Sequence, residues 1–99
     1  MIFQPLLAAS QAILYTPLDQ RHRFTGNCKQ YRAGVLLQSM AGLAICQYLG
    51  ETAFYLFGCD EAWQTITDTW HETLEEAQDQ AEFEYAGVTA TWRTFVQYD

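Results

Sequence analysis

Basic residues are scarce in this chain of 99 residues, which has five Lys and Arg against twelve Asp and Glu. The formal net charge is −7, so repulsion from phosphate makes broad contact with nucleic acid unfavourable. Ten of the acidic residues lie between Glu51 and Glu84, and four of the five basic residues lie between Arg21 and Arg32. The sequence therefore predicts an acidic region and a basic region, and it disfavours nucleic acid as a partner.

The motifs of common enzyme classes are missing as well. The chain has no glycine-rich phosphate loop, no H-E-x-x-H and no G-x-S-x-G. Cys28, Cys46 and Cys59 form no C-x-x-C pair and are odd in number, so neither a disulfide framework nor a zinc knuckle is encoded. We therefore expect no enzymatic activity, no cofactor and no metal, and reduced thiols in a cytoplasmic protein.

Long apolar runs are absent. The apolar stretch from Leu6 to Tyr15 follows no positive residue and is interrupted by Ser10 and Gln11, which is unlike a signal peptide. No window approaches the roughly 20 uninterrupted apolar residues of a membrane-spanning helix. With 49% apolar and 17% charged residues, residues 1–99 are expected to form a single domain with no membrane contact.

The best-specified element is a helix that begins after Thr73. Thr73 and Glu76 form a capping box, in which the Thr73 hydroxyl accepts the Glu76 N–H and the Glu76 carboxylate accepts the Thr73 N–H. Gly87 supplies a left-handed position that ends such a helix. The pattern predicts a helix over 74–85 that lays one side on a sheet. That side consists of Leu74, Ala77, Ala81 and Tyr85.

Three apolar or β-branched segments predict the strands of that sheet. They are Gly42 to Tyr48, Thr52 to Phe57 and Trp63 to Thr69. Their short connections, including a reversal at 58–62, indicate an antiparallel meander over 42–69. Ala33 to Gln38 is a further run of strand length. The predicted fold class is α+β, with an antiparallel sheet of three to four strands and one main helix.

The two ends of the chain are less determined. Helical spacing of apolar residues from Pro5 to Tyr15 predicts a short N-terminal helix, and the β-prone residues at its end leave an extended arm as the alternative. Residues 18–31 have no sustained periodicity and are predicted to be a loop. The aromatic tail from Val88 to Tyr98 is expected to pack on the core, as a strand or as a turn of helix.

One run carries a resemblance. From Tyr55 to Gly87 the sequence reads YLFGCDEAWQTITDTWHETLEEAQDQAEFEYAG, which resembles a pattern in small uncharacterised bacterial proteins. The resemblance implies a hairpin with its turn at Cys59-Asp60-Glu61 and an alanine-faced helix ending in Phe83-Glu84-Tyr85. Strands followed by an acidic helix are also similar to the small immunity proteins of bacterial toxin systems, and that similarity implies partner binding.

The acidic side of the helix is the candidate interaction site. Phe83 lies there among carboxylates, as an apolar anchor surrounded by charges that would steer a basic protein partner. The predicted partner-binding residues are Phe83, Glu72, Glu76, Asp79, Asp60 and Glu61, of which the last two lie in the turn at 59–62. The alternative is a solvated helix face whose phenylalanine is covered by the N-terminal segment or the tail.

Two other groups carry rival hypotheses about function. Four aromatic residues would line the pocket of a small-molecule-binding accessory domain: Trp63, Trp70, Tyr55 and Trp92. Cys59, Asp68 and His71 are the reactive side chains that the topology brings nearest to one another. About 20 Å of strand separates Cys59 from the other two, which disfavours a catalytic pair or a shared metal.

The basic segment leaves three roles open. Its residues are Arg21, His22, Arg23, Lys29 and Arg32, interleaved with Phe24 and Tyr31. The segment faintly resembles a nucleic-acid-binding stretch, or it pairs with the acidic helix of the same or a neighbouring molecule. A homo-oligomer that closes an unprotected sheet edge is the third alternative.

Overall fold

The computed structural model describes residues 10–37 and 40–95, and within them it contains nine strands and one α-helix. The helix, α1, spans Leu74–Glu84, and a single 3₁₀ turn follows at Val88–Ala90. The strands in chain order are β1 Ser10–Pro17, β2 Arg23–Phe24, β3 Gln30–Arg32, β4 Val35–Leu37, β5 Gly42–Tyr48, β6 Phe54–Cys59, β7 Thr65–His71, β8 Tyr85–Ala86 and β9 Arg93–Thr94. The α+β class is confirmed.

The main sheet has five strands in the order β7-β6-β5-β1-β9, and every neighbouring pair is antiparallel. The expected count of three to four strands was therefore too low. The three strands between 42 and 71 pair consecutively, and β1 and β9 extend the sheet beyond β5. Neither additional strand was determined by the local sequence, which left β1 as a helix or an extended arm and β9 as a strand or a turn of helix. Pairing with residues distant in sequence decided the conformation of both.

Of the two alternatives for the N-terminal segment, the helix is wrong over the described part and the extended conformation is the one observed there. Residues 10–17 form β1, which pairs with β5 from Ser10↔Tyr48 to Pro17↔Gly42 with a bulge between Ala12 and Leu14. In a regular strand Ala12 and Leu14 would share one face, but the bulge between them puts Ala12 in the hydrophobic cluster on one face of the sheet and Leu14 against the cluster on the other. Residues 5–9 of the predicted helix lie outside the described residues.

The segment predicted as a loop, 18–31, contains paired strands. Arg23 and Phe24 pair with Ala86 and Tyr85, so β2 forms a two-stranded sheet with the residues that directly follow the helix. Gln30–Arg32 forms a two-stranded hairpin with β4, part of the run expected to be a strand, outside the main sheet. Its two-residue turn, Ala33-Gly34, has positive φ at both positions, as a type I′ hairpin turn requires.

The helix begins as predicted and ends earlier. Thr73 Oγ1 accepts the Glu76 N–H at 3.0 Å, but the Glu76 carboxylate accepts the N–H of Glu72 at 3.1 Å rather than that of Thr73. Tyr85 leaves the helix in an extended conformation and pairs with Phe24. Gly87 does have φ +102°, but it precedes the 3₁₀ turn and does not end the helix. The helix thus ends because β8 pairs with β2.

Two hydrophobic clusters lie on opposite faces of the sheet. The helix-side cluster consists of Leu43, Ile45, Leu56, Ala77, Ala81, Tyr85 and Val88, with Leu74 packed against it. The far-side cluster consists of Ala12, Ala44, Cys46, Phe57, Cys59 and Trp63. Successive side chains of β5 and β6 point to opposite faces of the sheet, so each strand contributes residues to both clusters. The expected contact of the helix's apolar side with the sheet is confirmed, because Ala77 and Ala81 are fully buried.

The tail also packs on the core as expected, and it forms both of the proposed structures. Val88 is fully buried in the 3₁₀ turn, and Trp92 packs against the helix-side cluster. Arg93 and Thr94 then pair with Tyr15 and Leu14 of β1. The last part of the predicted tail, residues 96–98, lies outside the described residues.

The Thr73 cap gives a test of the helix start. Thr73→Ala leaves the Glu76 N–H without its side-chain acceptor, so we expect the free energy of unfolding to fall by about 1 kcal/mol. Thr73→Ser keeps the hydroxyl and is the matched control, with stability close to the parent. Urea unfolding followed by circular dichroism measures both variants. Equal losses in the two would show that the hydroxyl does not cap the helix.

Candidate functional site

Phe83 lies at the edge of a shallow depression on the outer side of α1. Half of its surface is exposed, and the depression, of about 420 Å³, is lined by His71, Glu76, Asp79, Gln80 and Phe83. The rival expectation was that the N-terminal segment or the tail covers Phe83. The described parts of these segments leave half of the Phe83 surface exposed, and residues 1–9 and 96–99 lie outside the described residues. The depression lies between the helix and the end of β7, where an apolar surface and two carboxylates meet.

The acidic residues of this region fall into two groups. Three of them accept hydrogen bonds within the fold: Glu76, Glu82 and Glu84. Among the residues that the structure describes, the carboxylates of Glu72, Glu75 and Asp79 have no hydrogen-bond or ion-pair partner, and all three residues are exposed. Glu76 both accepts a hydrogen bond and lines the depression, whereas the other three residues carry the unengaged charges of this region.

Glu82 anchors the chain that follows the helix. Its carboxylate accepts the N–H of Gly87 at 2.8 Å, and the N–H and hydroxyl of Thr89 at 3.0 and 2.7 Å. Burial acts to raise the pKa of Glu82, but these hydrogen bonds outweigh it and lower the pKa below its ordinary value. Although Glu82 is next to Phe83 in sequence, its carboxylate is not a free charge beside the ring.

Glu84 is a buried carboxylate, with only 7% of its surface exposed. It accepts a hydrogen bond from the Gln80 side chain at 2.8 Å. Burial raises the pKa of Glu84, and the bond from Gln80 opposes that shift without cancelling it. This residue weakens the folded state when it is charged, and it does not point to the surface.

His71 joins the depression from the end of β7. Its Nε2 atom lies 2.7 Å from Thr69 Oγ1. Burial lowers the pKa of His71, while the nearby Glu76 carboxylate acts in the opposite direction. His71 and Gln80 were absent from the predicted site. Gln80 lies one turn before Phe83 in the helix, so helical spacing was the signal that could have identified it.

Asp60 and Glu61 do not join the other predicted site residues. They follow β6 at the end of the sheet where Cys59 pairs with Thr65, whereas Glu72 follows the opposite end of β7. Six residues of strand, roughly 20 Å, separate these two ends. The Asp60 carboxylate is also occupied, because its Oδ1 atom accepts the N–H groups of Ala62 and Gln64 at 2.9 and 2.8 Å. Asp60 therefore holds the turn.

The reactive residues do not converge. The register puts Asp68 opposite Phe57 of the far side and His71 opposite Phe54 of the helix side, so the two side chains lie on different faces of the sheet. Burial raises the pKa of Cys59 to about 12, with Asp60 adding to the shift, which keeps the thiol protonated. Within residues 10–37 and 40–95, no group of three His, Cys, Asp or Glu side chains is arranged to hold a metal ion.

The basic segment does not form one patch. Arg21 pairs with Asp19 at 2.9 Å, and the hydrogen bonds from Arg21 lower the pKa of Asp19 to about 2. The His22 side chain is buried, with Nδ1 accepting the Asp19 N–H and Nε2 lying 2.9 Å from Thr91 Oγ1. Within the described part of the chain, Arg23, Lys29 and Arg32 have no carboxylate at ion-pair distance. Among the described residues, no basic side chain of this segment forms an ion pair with the acidic helix of the same molecule.

The four aromatic residues proposed to form a small-molecule pocket lie on two faces. Trp63 belongs to the far-side cluster, and Tyr55 packs against that cluster. Trp92 packs against the helix-side cluster instead. Trp63 is buried, with its ring edge-on to Tyr15, while Trp70 is 55% exposed. The four residues therefore do not share one face of the sheet, as a single pocket would require.

Comparison of the chain with protein-family models, curated proteins and solved structures finds no match. Within residues 10–37 and 40–95, the structure has no helix with the length and apolar character needed to cross a membrane.

Replacing Asp60 separates its structural role from its charge. Asp60→Ala removes the acceptor for two backbone N–H groups, so we expect a loss of about 1–2 kcal/mol in the free energy of unfolding. Asp60→Asn keeps an oxygen acceptor and is expected to lose less than half as much. Urea unfolding measures both. A stable alanine variant would contradict the proposed role in the turn.

Replacing Glu84 tests the buried carboxylate. Its folded-state pKa lies above the ordinary value of 4.5, so its contribution to stability falls as the pH rises from the unfolded-state pKa through the folded-state pKa. Glu84→Gln avoids this loss and can still accept the bond from Gln80. We expect this variant to be more stable than the parent at about pH 7, with the difference shrinking towards about pH 4.

Urea unfolding across this pH range measures the difference. Glu61→Gln, which removes one exposed charge at the far end of the sheet, is the control for net charge. Equal gains in the two variants would assign the effect to net charge and not to the burial of Glu84.

Proposed function

We propose that this protein is a small acidic protein-binding module that contacts a basic partner through the outer face of α1. The observation that carries the proposal is the half-exposed Phe83 ring beside the depression that Glu76 and Asp79 also line. An aromatic ring next to carboxylates suits a partner side chain that is both apolar along its length and positive at its end, such as arginine or lysine.

The distribution of charge supports the same partner. The helix has no basic residue in its last turn, and the carboxylates of Glu72, Glu75 and Asp79 are unengaged in the described part of the chain. Unpaired charges of one sign around an apolar anchor attract a partner of opposite charge and orient it as it approaches. Phe83 would then supply the short-range contact once the partner has docked.

The proposal retains only some of the residues predicted from the sequence to bind a partner. Phe83, Glu76 and Asp79 line the depression and Glu72 lies at the start of the helix, whereas Asp60 and Glu61 lie at the far end of the sheet. We therefore assign partner binding to the helix residues alone. An inhibitor of a cationic enzyme or toxin, as in the immunity proteins, is the form of this role that the sequence resemblance implies.

We also propose a cytoplasmic setting. Three free cysteines support it, because two of them are buried apart from any disulfide partner, as is usual in a reducing compartment.

A synthetic peptide of alternating arginine and leucine is the probe for this site. Phe83→Ala should weaken peptide binding roughly tenfold, because it removes the central apolar contact. Asp79→Asn should weaken it several-fold, and the effect should diminish at high salt since screening reduces the attraction. Fluorescence anisotropy with a labelled peptide at low and high salt measures both effects.

Glu61→Gln is the matched control for Asp79→Asn, because each variant removes one exposed negative charge. The proposal requires the Asp79 variant to bind more weakly than the Glu61 variant. Equal affinities would show that the peptide responds only to net charge, and an unchanged affinity in Phe83→Ala would remove the anchor. Thermal melts of every variant establish that it is folded.

A further inference from the structure

The outermost strand of the main sheet, β7, has an unpaired edge. It spans Thr65–His71 and pairs with β6 on one side, and no described strand pairs with its other side. The opposite edge strand, β9, is only two residues long. Edge strands of natural proteins are usually short, covered or interrupted by proline, because an exposed row of backbone groups templates pairing with another chain. β7 is long and contains no proline.

The backbone groups that face outward from this edge can be identified. Arg32 Nη2 donates to the Ile66 carbonyl at 3.4 Å, so that carbonyl points away from β6. In an antiparallel sheet the N–H and C=O of one residue point to the same side, and successive residues alternate. Asp68 and Trp70 therefore also present their N–H and C=O groups outward, while Thr67, Thr69 and His71 face β6.

A second copy of the chain fits this edge in an antiparallel register centred on Thr69. A two-fold axis perpendicular to the sheet must pass near the middle of the seven-residue strand if most of β7 is to pair. Centring on Thr67 would set Asp68 opposite Ile66 of the second copy, whose carbonyl Arg32 already holds, so the axis passes beside Asp68 or beside Thr69. Centring on Asp68 would set two carboxylates directly opposite each other, which is unfavourable. Centring on Thr69 pairs the two threonines and aligns the outward groups of Asp68 with those of Trp70 in the second copy.

Charge complementarity favours the same register. When Thr69 faces Thr69, Ile66 of one copy lies opposite Glu72 of the other. The Ile66 carbonyl holds Arg32, which has no carboxylate partner within its own described chain, and Glu72 has no basic partner there. The arrangement brings Arg32 next to Glu72 of the second copy, and symmetry makes this contact twice. It would pair charges that the monomer leaves apart.

Exposed aromatic residues lie along the same edge. Trp70 is 55% exposed within β7, and Tyr31 is 60% exposed in the β3–β4 hairpin that Arg32 ties to this strand. A two-stranded hairpin is marginally stable alone in water, so the hairpin gains from a surface on which to pack. The second copy supplies that surface at each end of the paired strands.

We propose that two copies of this chain form a symmetric dimer by antiparallel pairing of their β7 edges about Thr69, with Arg32 of each copy contacting Glu72 of the other. The two five-stranded sheets then form one continuous sheet. The interface does not include Phe83, although His71 of β7 also lines the depression and Glu72 lies near both.

Sedimentation velocity over a wide range of protein concentration tests the dimer. Asp68→Pro removes an outward N–H while leaving the bonds between β6 and β7 intact, so the monomer should fold. It should raise the dimer dissociation constant roughly 30-fold or more, which corresponds to two lost hydrogen bonds. A parent chain that stays monomeric at high concentration, or an Asp68→Pro variant that dimerises like the parent, would overturn the proposal.

A charge exchange gives a second test that does not depend on proline. Arg32→Glu or Glu72→Arg alone should weaken the dimer roughly tenfold, because each places like charges together at both ends of the interface. The double variant should recover most of the parent's affinity. If the double variant dimerised as weakly as the two single losses of affinity combined predict, this register would be excluded. Phe83→Ala should dimerise like the parent, so a failed dimer test and a failed peptide test are separable.

Discussion

The contact between α1 and the sheet depends on two alanines. Ala77 and Ala81 are both fully buried against Leu43, Ile45 and Leu56, so the helix backbone lies close to the sheet. Larger side chains at these positions would push the helix away and open the cluster. This close approach also fixes the rotation of the helix about its own axis. Phe83 and the unengaged carboxylates face outward because the alanines face inward.

The acidic character of the helix therefore combines two different kinds of residue. Glu76, Glu82 and Glu84 bind neighbouring N–H groups, so their positions are set by the cap, by the 3₁₀ turn and by Gln80. Glu72, Glu75 and Asp79 have no such role among the described residues. A count of charges in the sequence treats all six alike, whereas hydrogen bonding divides them into those with a donor inside the fold and those without one among the described residues.

Local signals in the sequence predicted the positions of the helix and of the strands β5, β6 and β7 to within about two residues. Thr73 with Glu76, the paired alanines and the alternating strands are each readable within a few residues. Features set by distant partners were missed. β1 is a strand because β5 and β9 flank it, and the helix ends at Tyr85 because Phe24 pairs with that residue. The β-prone residues at 13–15 made an extended arm one alternative, but local sequence did not decide between it and a helix, and nothing near Tyr85 indicates its pairing with Phe24.

Only part of the candidate site was predicted, because local patterns reveal its helical residues and not those that tertiary packing brings to the helix. The helical residues Phe83, Glu76 and Asp79 share a face that periodicity reveals, and the structure places all three around one depression. Asp60 and Glu61 were assigned to the site by charge and by the hairpin turn, but the length of β7 separates them from it. His71 was considered only as a reactive group, because its position beside the helix depends on tertiary packing.

The position of β1 within the sheet has a consequence for how the chain folds. This strand is near the start of the sequence, but its two neighbours are β5 and β9, and Leu14 pairs with Thr94. Contacts between residues so far apart in sequence slow the folding of small domains, because a long loop must close before they can form. During synthesis, the β5–β6–β7 unit can assemble while β1 still waits for its last neighbour. The sheet becomes complete only after Arg93 and Thr94 have left the ribosome and paired with β1.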